Sequence, residues 1–286
     1  MDEVRIGIIG GSGLYEIDGL VEIETFFPDT PYGKPSAPIV IGMFNGEKIA
    51  FLPRHGLGHS LSPSEIPVRA NIYAFKLLGV ERLVSVSAVG SLRETIQPLD
   101  MVIPDQLIDR TKSRVTTFFD SGIVAHISFA EPFCEDLRSY IKAATSRSNA
   151  RFHDGGTYVV IEGPQFSTKA ESLLYRDWGC DIIGMTALPE AKLAREAEMC
   201  YAVLACSTDY DCWHESEDIV TVDMVISNLL RNIEVSKSVI ADFVSNIPDV
   251  RSCNCSNALE NAIITNPAFI TGETKDRLSL LINRYI

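Results

Sequence analysis

Asp209 and Asp211, two carboxylates spaced by one residue, follow an apolar run at residues 201–206 and a Ser207-Thr208 step. A short β-rich run ending in acids places them at the carboxyl end of a buried strand, where open α/β sheets bind their ligands. The pair is therefore a site candidate, although the same spacing suits two solvated loop acids. Three more polar clusters follow apolar runs in the same way. Gly10-Gly11-Ser12-Gly13 closes the first, Arg54-His55 follows residues 49–52, and Ser87-Ala88-Val89-Gly90-Ser91 follows residues 83–86.

Those three clusters are donor-rich. Glycines let backbone N–H groups approach an anion and Ser12 adds a hydroxyl. Arg54 offers a planar fork suited to phosphate oxygens, His55 a second donor, and Ser87 with the neighbouring amides an oxyanion cage. The nucleotide fingerprints fail: Gly11-Ser12-Gly13 meets Glu16 where a dinucleotide fold needs its third glycine, and the Lys-Ser/Thr of a P-loop is missing. Singly, these segments read equally well as a tight turn, a surface pair and a second turn. Together they predict a phosphate pocket.

The elements that must hold these residues alternate. Residues 4–9, 39–43, 49–52, 83–88, 101–103, 158–161, 181–184 and 201–206 read as short strands rich in Val and Ile. Pro67 suits a first helical turn before the apolar face that Gly79 ends, Thr168-Lys169-Ala170-Glu171 is a capping box, Pro189 starts another helix, and residues 221–244 form the longest. The pattern predicts one α/β domain with a mostly parallel or mixed twisted sheet flanked by helices, and a less certain tail over residues 249–286.

Composition narrows the function classes. The chain has 286 residues, 46% hydrophobic, with a net charge of −13 and no Lys/Arg-rich block, so a nucleic-acid surface is not expected and any anion must be held locally. The N-terminus lacks a basic leader and no apolar run approaches a membrane span, which makes the cytoplasm the expected location and a membrane partner unexpected. Seven cysteines in such a chain read as reduced structural thiols. Cys253-Asn254-Cys255 could close only a strained ring, and with no Cys or His nearby in sequence to complete a zinc site, no metal is expected.

The middle of the chain adds a resemblance. The segments Ile161-Glu162-Gly163-Pro164-Gln165-Phe166-Ser167-Thr168, Gly184-Met185-Thr186-Ala187-Leu188-Pro189-Glu190 and Thr208-Asp209-Tyr210-Asp211-Cys212-Trp213 resemble the trimeric purine nucleoside phosphorylases. Gly10-Gly11-Ser12-Gly13-Leu14, Pro31-Tyr32-Gly33-Lys34-Pro35, Arg54-His55-Gly56, Gly90-Ser91-Leu92-Arg93-Glu94 and Ala130-Glu131-Pro132-Phe133-Cys134 extend it from residue 4 to about residue 245. Within that family the likeness is to members that act on 5′-methylthioadenosine.

The resemblance implies roles residue by residue. Phosphate should sit among Ser12, Arg54, His55, Ser87, the Ala88 amide and Thr186. Phe166 should pack on ribose and purine, Met185 under the sugar, and Ser167, Asp209 and Asp211 should hold the base. His126, offered by a neighbouring subunit, should enclose the 5′-methylthio group with Val222, Val225 and Ile226. The last three also fit an ordinary core stripe, and His126 a plain surface histidine. Asp209 is the expected acid: adenine leaves poorly as an anion, so a proton delivered to N7 helps it depart while phosphate attacks the anomeric carbon. For that, the dry pocket and the charge of Asp211 must keep it protonated.

The family's 6-oxopurine enzymes tend to carry Glu and Asn at the positions of Ser167 and Asp209, so this chain points to a 6-aminopurine. The resemblance further implies a homotrimer without cofactor, phosphate being a co-substrate. It also relates Cys253-Asn254-Cys255 to a Cys-x-Cys of heat-stable archaeal relatives, with Cys134, Cys200 and Cys206 where further bridges form. A purine nucleoside or 5′-methylthioinosine phosphorylase, a hydrolase and a non-catalytic nucleoside-binding module are the alternatives.

Overall fold

The chain alternates as its composition predicts. In order come β1 (Ile6–Gly10), β2 (Val21–Phe26), β3 (Ile39–Phe44), β4 (Glu47–Pro53), α1 (Val68–Leu77), β5 (Arg82–Ser91), β6 (Met101–Ile103), β7 (Gln106–Arg110), α2 (Glu135–Arg147), β8 (Phe152–Asp154), β9 (Thr157–Ile161), α3 (Lys169–Asp177), β10 (Ile182–Gly184), α4 (Ala187–Glu196), β11 (Cys200–Asp209), α5 (Val222–Asn246) and α6 (Gly272–Ile282). These bounds come from a computed structural model that describes residues 4–11, 14, 19–214 and 222–286. Ser12 lies outside the described residues, as does the side chain of Val222.

All the strands join one mixed sheet organised on β5. Strands β4, β1, β5 and β11 run parallel, so their carboxyl ends share one edge. On one flank of β5, β1 pairs with Arg82 to Ser85, and antiparallel β10 takes over at Gly90 and Ser91. The chain leaving β10 therefore runs back along β5 towards Ser87. On the other flank, β11 follows β5 to its end, with a bulge that lets Ser207 face Val89 and Asp209 face Gly90. A bulge re-aims the side chain beyond it, here Asp209.

Alternation along the strands divides the core. From β11, Tyr201, Val203 and Ala205 enter one apolar cluster, while Cys200, Ala202, Leu204 and Cys206 enter the other. The first cluster is capped by α1 and α4 through Ile72, Phe75, Ala191 and Leu193, the second by α2 and α5 through Leu137, Ile141, Ile240 and Phe243. This is the expected single-domain α/β architecture, a sheet with helices on both faces.

Several local expectations hold in detail. Thr168 and Glu171 form the reciprocal capping box of α3. Gly79, at φ 87°, stops the chain after α1 in a conformation most residues avoid. Pro189 opens only the regular part of α4, because Leu188 before it is extended at φ −115°, ψ 140°. The tail is better integrated than its sequence suggested: Leu259, Ile270, Leu278 and Leu281 are buried in the first cluster. Cys255 is buried in the second, beside Cys134 and Cys200. The expectation of no metal assumed that no thiol stands near Cys253 and Cys255, and the fold removes that premise.

Candidate active site

The donor end is built where β1, β4 and β5 finish. Arg54 continues the register of β4, its N–H donating to the Gly10 carbonyl at 2.8 Å. Its side chain turns inward and is 1% exposed. Nε donates to Glu190 Oε1 at 2.5 Å, Nη1 to the Val86 carbonyl, and Nη2 to the Ser85 hydroxyl and the Ile9 carbonyl. Glu190, itself wholly buried, also accepts from the Tyr201 hydroxyl at 2.8 Å. The Arg54 fork, expected on phosphate, holds a buried carboxylate. Among the described residues, one Nη1 N–H and the positive charge are left for an anion.

Close by, three buried hydroxyls approach one another and lack a well-formed hydrogen-bond partner among the described residues: Ser87 Oγ, Thr186 Oγ1 and the phenol of Tyr158. The Tyr158 phenol lies among Ser87, Thr186 and Arg54, and burial raises its pKa. Its space exists because residue 184 is glycine: a Cβ there would stand 2.4 Å from the phenol oxygen. An unpartnered buried hydroxyl costs about 1–3 kcal/mol, so three together mark a ligand position more than a packing accident. Ala88, half-buried, sits beside Ser87 on β5.

His55 differs from expectation. Its Nδ1 lies 2.9 Å from the Leu61 carbonyl, and its ring stacks on His59 with centroids 4.2 Å apart. Burial, then the nearby Arg54 charge, lowers its pKa to about 4. A neutral ring that donates through Nδ1 leaves Nε2 as an acceptor, not the second donor the sequence suggested.

The acceptor end stands beyond the β11 bulge. Asp209 is 5% exposed; Oδ2 accepts from the Thr208 hydroxyl at 2.7 Å and Oδ1 from the Asp211 N–H at 2.8 Å. Ser167 donates to Asp211 at 2.9 Å, so the three expected base residues form one connected group. Burial raises the pKa of Asp211, against the Ser167 hydroxyl that donates to it and the nearby Ser172 hydroxyl, which lower it. Gly90 makes room for the pair, since a Cβ there would lie 2.9 Å from Asp209 Oδ1. From α5, Asn228 and Asn232 donate to the Thr208 and Ser207 carbonyls and fix the bulge.

Between the two ends, Met185 is half-buried and Phe166 is 48% exposed. Arg114 ties their loops together, donating to the carbonyls of Met185, Leu188 and Glu162. On α5, Val225 is half-buried and Ile226 is 49% exposed. His126 is exposed and its N–H donates to the Ala262 carbonyl, placing it against the C-terminal segment. Its recorded contacts include none of the other expected site residues.

The arrangement joins a cluster of buried hydroxyls beside Arg54 to a hydrogen-bonded carboxylate group at the end of β11. The description "Phosphorylase superfamily" fits a family model matching residues 5–245. The chain belongs to that superfamily. It is 54% identical to S-methyl-5′-thioadenosine phosphorylase of Koribacter versatilis (strain Ellin345), over 99% of this chain and 97% of that protein. Its fold matches the crystal structure of a methylthioadenosine phosphorylase from an antarctic soil metagenomic library with a TM-score of 0.94, at 51% identity over 99% of this chain and 100% of the other. Methylthioadenosine phosphorylase from Schistosoma mansoni in complex with adenine matches at a TM-score of 0.80 and 33% identity, over 98% of each chain.

Sequence reasoning missed Tyr158, Glu190, Tyr201, Arg114 and Asn228. Four of these sit inside strands or helices, where apolar periodicity masks a polar role, and Arg114 lies in a loop outside every motif named above. The Gly184 beside a β-strand end was the available signal for Tyr158, because an unbranched backbone there means something approaches closely.

Proposed function

We infer that this phosphorylase-superfamily enzyme, a pentosyltransferase, cleaves 5′-methylthioadenosine with inorganic phosphate, giving adenine and 5-methylthioribose 1-phosphate. The observation that carries the reading is the trio of buried hydroxyls of Ser87, Thr186 and Tyr158 beside Arg54, without well-formed partners among the described residues, in a sheet whose parallel strand β11 ends at Asp209. Phosphate fills the donor end with Ser12, Ser87, Thr186 and the Ala88 amide. Arg54 contributes charge and one N–H; His55 accepts from a protonated phosphate oxygen.

The purine lies at Ser167, Asp209 and Asp211, with Phe166 on its face and Met185 under the ribose. The C–N bond to the base breaks as an anomeric C–O bond to phosphate forms, and a proton from Asp209 reaches N7 of the departing adenine. Asp209 accepts from the Thr208 hydroxyl and the Asp211 N–H in the free chain, so purine binding rearranges this group to bring the acid against N7. An Asp at this position pairs with a 6-amino group, which separates the reading from a 6-oxopurine phosphorylase.

The methylthio group rests on Val222, Val225 and Ile226 and is closed off by His126 of a neighbouring subunit in a homotrimer. The enzyme needs no cofactor and works in the cytoplasm; no described helix is long and apolar enough to cross a membrane. Ultraviolet assays of methylthioadenosine, adenosine and inosine, each with and without phosphate, test the reading. Adenine release from methylthioadenosine that requires phosphate supports it. Release at an equal rate without phosphate indicates a hydrolase, and preference for inosine indicates the 6-oxopurine sibling.

A further inference from the structure

Four thiols converge on the side of the molecule away from the site. The sulfur atoms of Cys134, Cys200, Cys253 and Cys255 all lie within 4.8 Å of one another, and three of the four residues are buried. They come from three distant parts of the chain. Cys134 is the N-cap of α2, Cys200 begins β11, and Cys253 and Cys255 belong to the turn that follows α5.

The mutual closeness decides between chemistries. Two disulfides need two short contacts and leave the other four sulfur pairs unconstrained. A tetrahedral ion needs all six pairs to be comparable, with edges of about 3.8 Å for metal–sulfur bonds near 2.3 Å. All six pairs are near that scale, and Cys200 and Cys253 approach to 3.2 Å. The surroundings suit thiolates. The Leu137 N–H donates to Cys134 Sγ at the positive end of a helix. The Arg251 guanidinium lies against Cys200 and Cys253 and is held there by the Glu198 carbonyl and Glu81. These are the outer contacts that a doubly negative four-thiolate centre requires.

We propose that Cys134, Cys200, Cys253 and Cys255 bind one zinc ion that clamps the C-terminal segment to α2 and β11. The site is closed, with four protein ligands and no open position, so the ion is structural and takes no part in the phosphorolysis. Its ligands are deprotonated thiolates, and the ion carries part of the free energy that holds residues 253–286 on the sheet.

The test uses the full chain purified from cells grown with zinc and without chelators. Elemental analysis is expected to find about one zinc per chain, with all seven thiols titratable after denaturation in chelator. The double variant Cys253→Ser/Cys255→Ser should carry none, and Cys180→Ala should keep it. Because the double variant could fail to fold, a second measurement uses the parent protein: cobalt loaded in place of zinc should show the visible bands of a tetrahedral thiolate site. Absence of stoichiometric zinc from the parent overturns the proposal. So does a parent mass lowered by about four hydrogens with only three titratable thiols, which would mean two disulfides.

Discussion

The donor and acceptor ends of the site are built on opposite terms. Around Ser87, Thr186 and Tyr158 the fold gathers three buried hydroxyls that lack well-formed partners among the described residues, while Arg54 beside them is locked by Glu190. Around Asp209 and Asp211 every described carboxylate is already hydrogen-bonded, to Thr208, Ser167 and the backbone. The donor end thus waits for an anion, and bears a cost in stability until one arrives. The acceptor end is satisfied alone and must exchange partners to take a base. Preorganisation towards phosphate and adjustment towards purine follow, which suits an attack that depends more on fixed position than on intrinsic reactivity.

The largest expected effect breaks the acceptor end. Asp209→Asn keeps the shape but loses the transferable proton, and should lower kcat on methylthioadenosine by about 10²–10⁴-fold at saturating phosphate. Steady-state rates check this, and a rate near that of the parent refutes Asp209 as the acid. Gly90→Ala acts on the same end through space alone. Its Cβ would press on Asp209 Oδ1, and a displacement near 1 Å should cost roughly 10²-fold in kcat while the phosphate KM stays within about twofold.

The donor end gives a signature with two signs. Ser87→Ala and Thr186→Val each remove a buried hydroxyl that has no well-formed partner among the described residues. Phosphate affinity should fall by about tenfold for each, while the melting temperature without phosphate rises or holds. Calorimetric titration with phosphate and thermal melts check both halves. A fall in melting temperature as large as that of a core truncation would show that these hydroxyls have partners in the free protein.

The smallest effect sharpens the contrast through pH. His55 titrates near 6.5 when unfolded and near 4 in the folded chain, because burial and Arg54 oppose its charge. The unfolded chain therefore binds the extra proton between those values, so stability drops as pH falls from about 6.5 to about 4, and His55 contributes no slope above that window. Denaturation across this range should show a shallower acid loss for His55→Gln than for the parent.

Legibility followed how local each feature is. Strands β5 and β11 show in the sequence because Leu, Val and Ala are dense there, and the acids stand out where the β11 run stops. Strands β2 and β7 did not show, since VEIETF and QLIDR mix charges into short edge-side stretches that look like loops. The helix α6 lies in the tail left unassigned by the sequence, where Thr271 caps it by accepting from the Thr274 N–H. Nothing local marks Glu190 as buried, because its partner Arg54 stands 136 residues earlier. The four thiols needed three long-range closures at once, which no spacing rule reports.

A crystal of the protein grown with sulfate and adenine examines both ends at once. Sulfate oxygens should lie within hydrogen-bond reach of the Ser87 and Thr186 hydroxyls, with little movement there. Adenine N7 should lie against Asp209, with the Asp211–Ser167 group rearranged around the ring. Sulfate bound elsewhere while those hydroxyls stay unpartnered, or adenine seated away from Asp209, would contradict the proposed site.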